Sequence, residues 1–209
     1  VALSKDGRTL GGSIRMESGE AIDGTGGNLN LLAGASTESS TGNIQLSTED
    51  AGDVGVSGSI SFLTGISTAF KSGSIELSTG KSFEDGAVGN INIKTGASSS
   101  TSEENSILIA AGDVIGHSGG GGRTTIRAGE SFSSSDGDEG GAIFVDGGNA
   151  LEGNGGLLGL SSGGSVAGST GNVQIQPANA VGIGSSGVIH IESGTSSSGN
   201  TGAVMVSSG

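Results

Sequence analysis

The stretch Gly73-Ser74-Ile75-Glu76-Leu77-Ser78-Thr79-Gly80 holds the pattern that decides the fold class of this chain. Two apolar residues alternate with polar ones between glycines, and this form returns along all 209 residues. Each unit is numbered here from its first residue as position 0, and units begin at residues 12, 27, 42, 58, 73, 89, 105, 122, 141, 156, 171, 187 and 202. Most units are roughly 15–16 residues long, a fixed period of the kind that is typical of repeat architectures. The steps from 105 to 122 and from 122 to 141 are the longest.

The alternation inside each unit predicts a β-strand. Positions +2 and +4 are apolar in every unit except at Thr124, and position +3 between them is mostly polar. A period of two is typical of a half-buried strand, here with +2 and +4 facing inward. Position +6 is almost always a small residue, and the glycines at 0 and +7 favour turns. A helix is excluded because apolar residues do not recur at i+3 and i+4 and glycine interrupts every unit.

The spacers between the units alternate in chemistry. The spacers that follow the units at 12, 42, 73, 105, 141 and 171, called odd spacers, contain apolar residues such as Ile22 and Leu151. The remaining spacers, called even spacers, are mostly rich in Ser and Thr. This alternation predicts an all-β, parallel β-solenoid with one strand per unit and two units, about 31 residues, per turn. A turn of one unit is the alternative, but it leaves voids beneath alternate spacers, which close packing disfavours.

Composition limits the partners of the chain and its organisation. A net charge of −13, from 21 acidic and 8 basic residues, opposes binding to nucleic acid or to an anionic membrane surface. No apolar stretch is long enough to span a bilayer, so we expect no membrane insertion. The absence of cysteine excludes disulfides and thiolate metal sites. Because neither end carries a polar cap, we expect residues 1–209 to be a single repeat array, a segment of a longer solenoid.

Acidic residues in two even spacers form a candidate calcium site. In a stack of turns, residues 97–104 and 130–140 would lie next to each other. Carboxylate oxygens in flexible loops are the ligands that Ca²⁺ takes. The candidate ligands are Glu103, Glu104, Asp136, Asp138 and Glu139. The glycine–aspartate nonapeptide of calcium-binding solenoids is missing, and a solvated acidic loop is the alternative. We expect no other cofactor.

No catalytic constellation is present, so we expect the chain not to be an enzyme. Gly116-His117-Ser118-Gly119-Gly120 has the spacing of a nucleophile elbow, but glycines follow it where that motif requires a helix. His190 and Glu192 share the predicted outer face, and an exposed ion pair is the simplest interpretation of them. An ice-binding face would need columns of threonine, whereas the outer columns mix many residue types.

Two apolar residues on the predicted outer face suggest a contact with another molecule. Leu108 and Phe144 occupy +3 positions, where a polar residue is usual, in successive units of the same predicted sheet. Exposed apolar neighbours commonly mark a contact surface. We therefore expect Leu108 and Phe144 to form a lateral contact with a second solenoid or with a covering segment in the assembled fibre.

Three units, Gly42-Asn-Ile-Gln-Leu-Ser-Thr, Gly73-Ser-Ile-Glu-Leu-Ser-Thr-Gly and Gly89-Asn-Ile-Asn-Ile-Lys-Thr-Gly, carry a family resemblance. The chain resembles the long Gly/Ser-rich repeat proteins of stramenopile algae and, more loosely, is similar to the β-solenoid stalks of bacterial adhesins. The resemblance implies an extracellular or cell-surface location and a structural role, as a shaft segment of a filament, sheath or adhesive that self-associates into fibres. The alternative is a solenoid binding module for ice, carbohydrate or calcium.

Overall fold

The computed structural model describes residues 11–83, 86–99, 105–115, 119–132 and 139–208. These residues form no α-helix and no β-strand, and their backbone is irregular apart from short bends. The predicted parallel β-solenoid is therefore wrong, and with it the turn of two units and its one-unit alternative. The chain divides into two parts, Val1–Glu103 and Glu104–Gly209. The features described below lie within one part or the other.

The period-two alternation nevertheless governs which way side chains point. Gln174 Nε2 donates to Gln176 Oε1 at 2.6 Å, and His190 Nε2 lies 3.1 Å from a carboxylate oxygen of Glu192. Arg15 pairs with Glu17 in the same way. Each pair joins position +3 to position +5 of one unit. Side chains at i and i+2 meet on one side only where the backbone between them is extended.

Exposure separates the two sides of the extended segments. Twenty-three of the 25 apolar side chains at +2 and +4 are 50–75% exposed, and Ile14 and Val206 are the more exposed exceptions. Other large apolar side chains among the described residues are at least 81% exposed, apart from Val88 and Val114. The +2 and +4 side is thus the more sheltered one. None of the described residues is buried, so these residues contain no hydrophobic core.

The missing sheet has a physical cause that the alternation does not reveal. Alternation fixes the side on which each residue lies, but a sheet also needs a neighbouring backbone about 4.8 Å away. Ordering such a neighbour costs conformational entropy, and glycine, with 45 copies, loses the most on ordering. Aromatics make up 2% of the chain, so the side chains that bury the largest apolar area are nearly absent from the balance against that cost. The segments therefore remain extended without pairing into strands.

Each fully described spacer bends at nearly the same place. The bends, written as residue numbers, lie at 22–24, 37–39, 53–55, 68–70, 151–153, 166–168, 182–184 and 197–199. All of them begin at position +10 or +11 of their unit. Gly153 and Gly182 have φ of 96° and 108°, which a side chain would strain. The repeat is therefore expressed as alternating extended segments and bends.

Candidate functional site

Backbone hydrogen bonds between glycines close several spacers into loops. The amide at position 0 of one unit donates to the carbonyl at +7 of the unit before it, at 2.9 or 3.0 Å. Among the described residues the donor and acceptor pairs are Gly27 and Gly19, Gly42 and Gly34, Gly122 and Gly112, Gly141 and Gly129, Gly156 and Gly148, and Gly171 and Gly163. We call each such meeting of consecutive units a junction. Loops whose ends meet in this way resemble compact Ω-loops.

A small residue at +6 packs against the glycine at position 0 of the next unit. A Cβ added to Gly122 would lie 2.9 Å from Ala111 Cβ, and one added to Gly141 would lie 3.3 Å from Ala128 Cβ. Within the part of the chain that the structure describes, the residues that are half-buried all occupy +6, and they are Ala33, Ala111, Ala128, Pro177 and Ser193. Glycine at 0 and a small residue at +6 thus form the closest repeated contact of the array.

Threonine at +6 changes the junction. Thr48, Thr64, Thr79 and Thr95 occupy this position, and the methyl groups of the first two would lie 3.0 and 3.3 Å from a Cβ at Gly58 and Gly73. The closing hydrogen bond is absent at the junctions after Thr48, Thr64 and Thr79 in the described chain, although Gly65 supplies the usual +7 glycine after Thr64. The branched side chain fills the space that the two backbones would otherwise share. The junctions after Thr48, Thr64 and Thr79 are therefore open, and so is the junction between Ser193 and Gly202, where the residue at +6 is small.

Junctions also close across longer spacers. Gly122 and Gly141 begin the units that follow the two longest steps of the repeat, and each still donates to the +7 glycine before it. The geometry of the junction is therefore independent of the length of its spacer.

A serine turn occurs in three of the even spacers, and the sequence interpretation missed it. Ser36, Ser67 and Ser165 occupy +9, and each side-chain oxygen accepts a hydrogen bond from the amide three residues later, at 2.9, 3.1 and 2.8 Å. Serine occupies +9 in all six even spacers, also at Ser98, Ser131 and Ser196. The odd spacers carry Ala21, Ala51, Ser82, Val114, Ala150 and Ala180 there. Aligning the spacers from position 0 would have found this signal.

Charged groups lie on the outer side of the chain and are solvent-exposed. The hydrogen bond from Arg15 lowers the pKa of the Glu17 carboxyl from its usual 4.5 and raises the pKa of Arg15. Arg127 pairs with Glu130. His190 and Glu192 form the exposed pair expected of them, with both side chains more than 70% exposed. Pairs of this kind contribute little stability in water.

The candidate calcium site is not assembled in the part of the chain that the structure describes. Glu103, Glu104, Asp136 and Asp138 lie outside the described residues, and Glu139 is exposed. No group of three or more His, Asp or Glu side chains that could hold a metal ion occurs among the residues described. Three residues of the G-x-S-x-G string, 116–118, also lie outside them.

Leu108 and Phe144 are both solvent-exposed, as their +3 positions imply. Their predicted juxtaposition depended on stacked turns, which the described residues do not form. The lateral contact between copies stays a prediction.

No helix in the described part of the chain has both the length and the apolar character needed to cross a bilayer. No protein-family model, curated protein or solved structure matches the chain.

Proposed function

We propose that this chain is a structural protein, a repeat segment of an extracellular or cell-surface filament, sheath or adhesive that associates with other copies of itself. One observation carries the proposal. The array places two apolar side chains on the same side of nearly every unit, yet none is buried among the described residues. Apolar surface arranged with a fixed period is typical of proteins that form extended contacts.

The negative charge of the chain disfavours nucleic acid as a partner and is compatible with a structural role. The net charge of −13 keeps single chains soluble and opposes contact with polyanions. The exposed ion pairs on the outer side bring together no group of residues with a catalytic arrangement.

The proposal is tested by locating the native protein. Antibodies raised against the 209-residue chain are used for immunogold electron microscopy of the cells that make it. We expect gold label on extended material outside the cell or on its surface. Label confined to the cell interior would refute the proposal.

The predicted lateral contact is a separate part of this proposal. The double variant Leu108→Ser, Phe144→Ser removes two exposed apolar side chains at +3. We expect narrower fibres by electron microscopy because lateral association is weakened. Unchanged fibre width would show that these two residues make no lateral contact.

A further inference from the structure

We infer that the apolar side chains at +2 and +4, called the association face, form the contact surface for a second copy of this chain. The inference rests on the proposed structural function and specifies which surface mediates self-association. It differs from the lateral contact at +3, because the association face lies on the opposite side of each extended segment.

The first argument is that the association face is sheltered within one chain but not covered. Leu158 is 50% exposed, whereas its neighbour Leu157 is 92% exposed, and Leu31 and Leu32 are 56% and 86% exposed. The local geometry therefore already gathers +2 and +4 on one side. About half of each side chain is left in contact with water, so covering it still yields hydrophobic stabilisation.

The second argument is the size of the face. A Leu or Ile side chain can remove roughly 100 Å² from water, so half of one leaves on the order of 50 Å² to bury. One part of the chain has 12 side chains of the face and the other has 13, so each part offers about 600 Å², the lower end of the area per partner in specific interfaces. A contact that uses the units of one part is therefore large enough for a specific interface.

The third argument identifies the occupant. The association face has no charged residue at +2 or +4, so two faces can meet without bringing like charges into the contact, despite the net charge of −13. The face returns once in every unit along the chain. A second copy has the same period, so its units can contact the units of the face one by one.

The test uses two variants of the full chain that have the same composition and charge. The face variant carries Leu31→Asp and Leu158→Asp, and the control variant carries Leu32→Asp and Leu157→Asp. Molar mass is measured by sedimentation and light scattering at chain concentrations from micromolar to millimolar. The salt concentration is about 0.15 M, so that long-range charge repulsion is screened. Amide exchange of Gly42 and Gly171, whose junctions end the two altered units, checks that local structure is intact.

We expect the wild-type chain and the control variant to associate with dissociation constants within about twofold of each other. The face variant should associate roughly tenfold more weakly or not at all, because it would bury unpaired carboxylates. A wild-type chain that stays monomeric throughout, or equal affinities for the two variants, would overturn the inference. If native fibres are labelled with gold and the face and control variants associate with equal affinity, the structural function is supported and only the role of the association face is refuted.

Discussion

The serine turn of the even spacers offers a direct test of the local structure. The Ser36 hydroxyl oxygen accepts a hydrogen bond from the Ser39 amide at 2.9 Å, and Ser36→Ala removes this acceptor while the donor is unchanged. A hydrogen bond of this kind contributes about 0.5–1.5 kcal/mol net, which corresponds to a two- to twelvefold change in an opening equilibrium. Because the turn is exposed, we expect a change in the lower part of that range.

The assay is hydrogen exchange of the Ser39 amide, followed by NMR in the wild-type chain and its variants. The side chains of Glu38 and Ser39, which set the intrinsic exchange rate of this amide, are the same in all of them. Ser36→Thr keeps a hydroxyl and should retain the protection, and Ser40→Ala is a matched control outside the turn. Equal exchange of the Ser39 amide in Ser36→Ala and the wild-type chain would refute the turn.

Three further predictions concern the junctions and the outer side of the chain. Gly122→Ala places a Cβ 2.9 Å from Ala111 Cβ and should remove the protection of its own amide from exchange, after correction for residue type. Gly121→Ala meets nothing within 4 Å and should leave the Gly122 amide protected, and equal effects would contradict the close contact. Thr64→Ala should allow the Gly73 amide to form a closing bond, seen as slower exchange, and unchanged exchange would show that the methyl group is not the obstacle. The pKa of Glu17, titrated by NMR, should lie below 4.5 and return towards 4.5 in Arg15→Gln, because Arg15 stabilises the ionised carboxylate. The stabilisation from this pair is fully present at a pH above 4.5 and is lost as the pH falls through the lowered pKa.

The sequence predicts the side of the chain on which each residue lies better than it predicts whether backbone segments pair into a sheet. The alternation around Ile189, His190 and Ile191 indicates which side each residue takes, and the pairing of His190 with Glu192 agrees with it. The step from faces to a solenoid failed because period-two alternation carries no information about which backbone lies beside a segment. Register is fixed by packing against a neighbour, and the close contact that the small side chain at +6 makes among the described residues is with the next glycine, as at Ala111 and Gly122.

The candidate sites depended on the same step from alternation to stacked turns, and they stay predictions. The calcium candidates and the pair Leu108 and Phe144 were chosen because stacked turns would bring distant residues together. Without those turns, only contacts within one unit or across one spacer can form among the described residues. His190 with Glu192 is a contact of this local kind, and so is the serine turn at Ser36. The alternation predicted the first of these contacts, whereas the serine turn, although equally local, was not predicted.

The hydrogen bond that closes a junction does not depend on the length of the spacer, so residues can be inserted into a spacer without loss of that bond. Closing a loop costs only about 0.6 kcal/mol more for each doubling of its length. The two longest steps of the repeat fit this slow dependence, since their loops end at Gly122 and Gly141 in the same Gly–Gly hydrogen bond as the shorter ones. A peptide inserted into a spacer such as 149–155 would therefore leave the hydrogen bond between Gly156 and Gly148 in place.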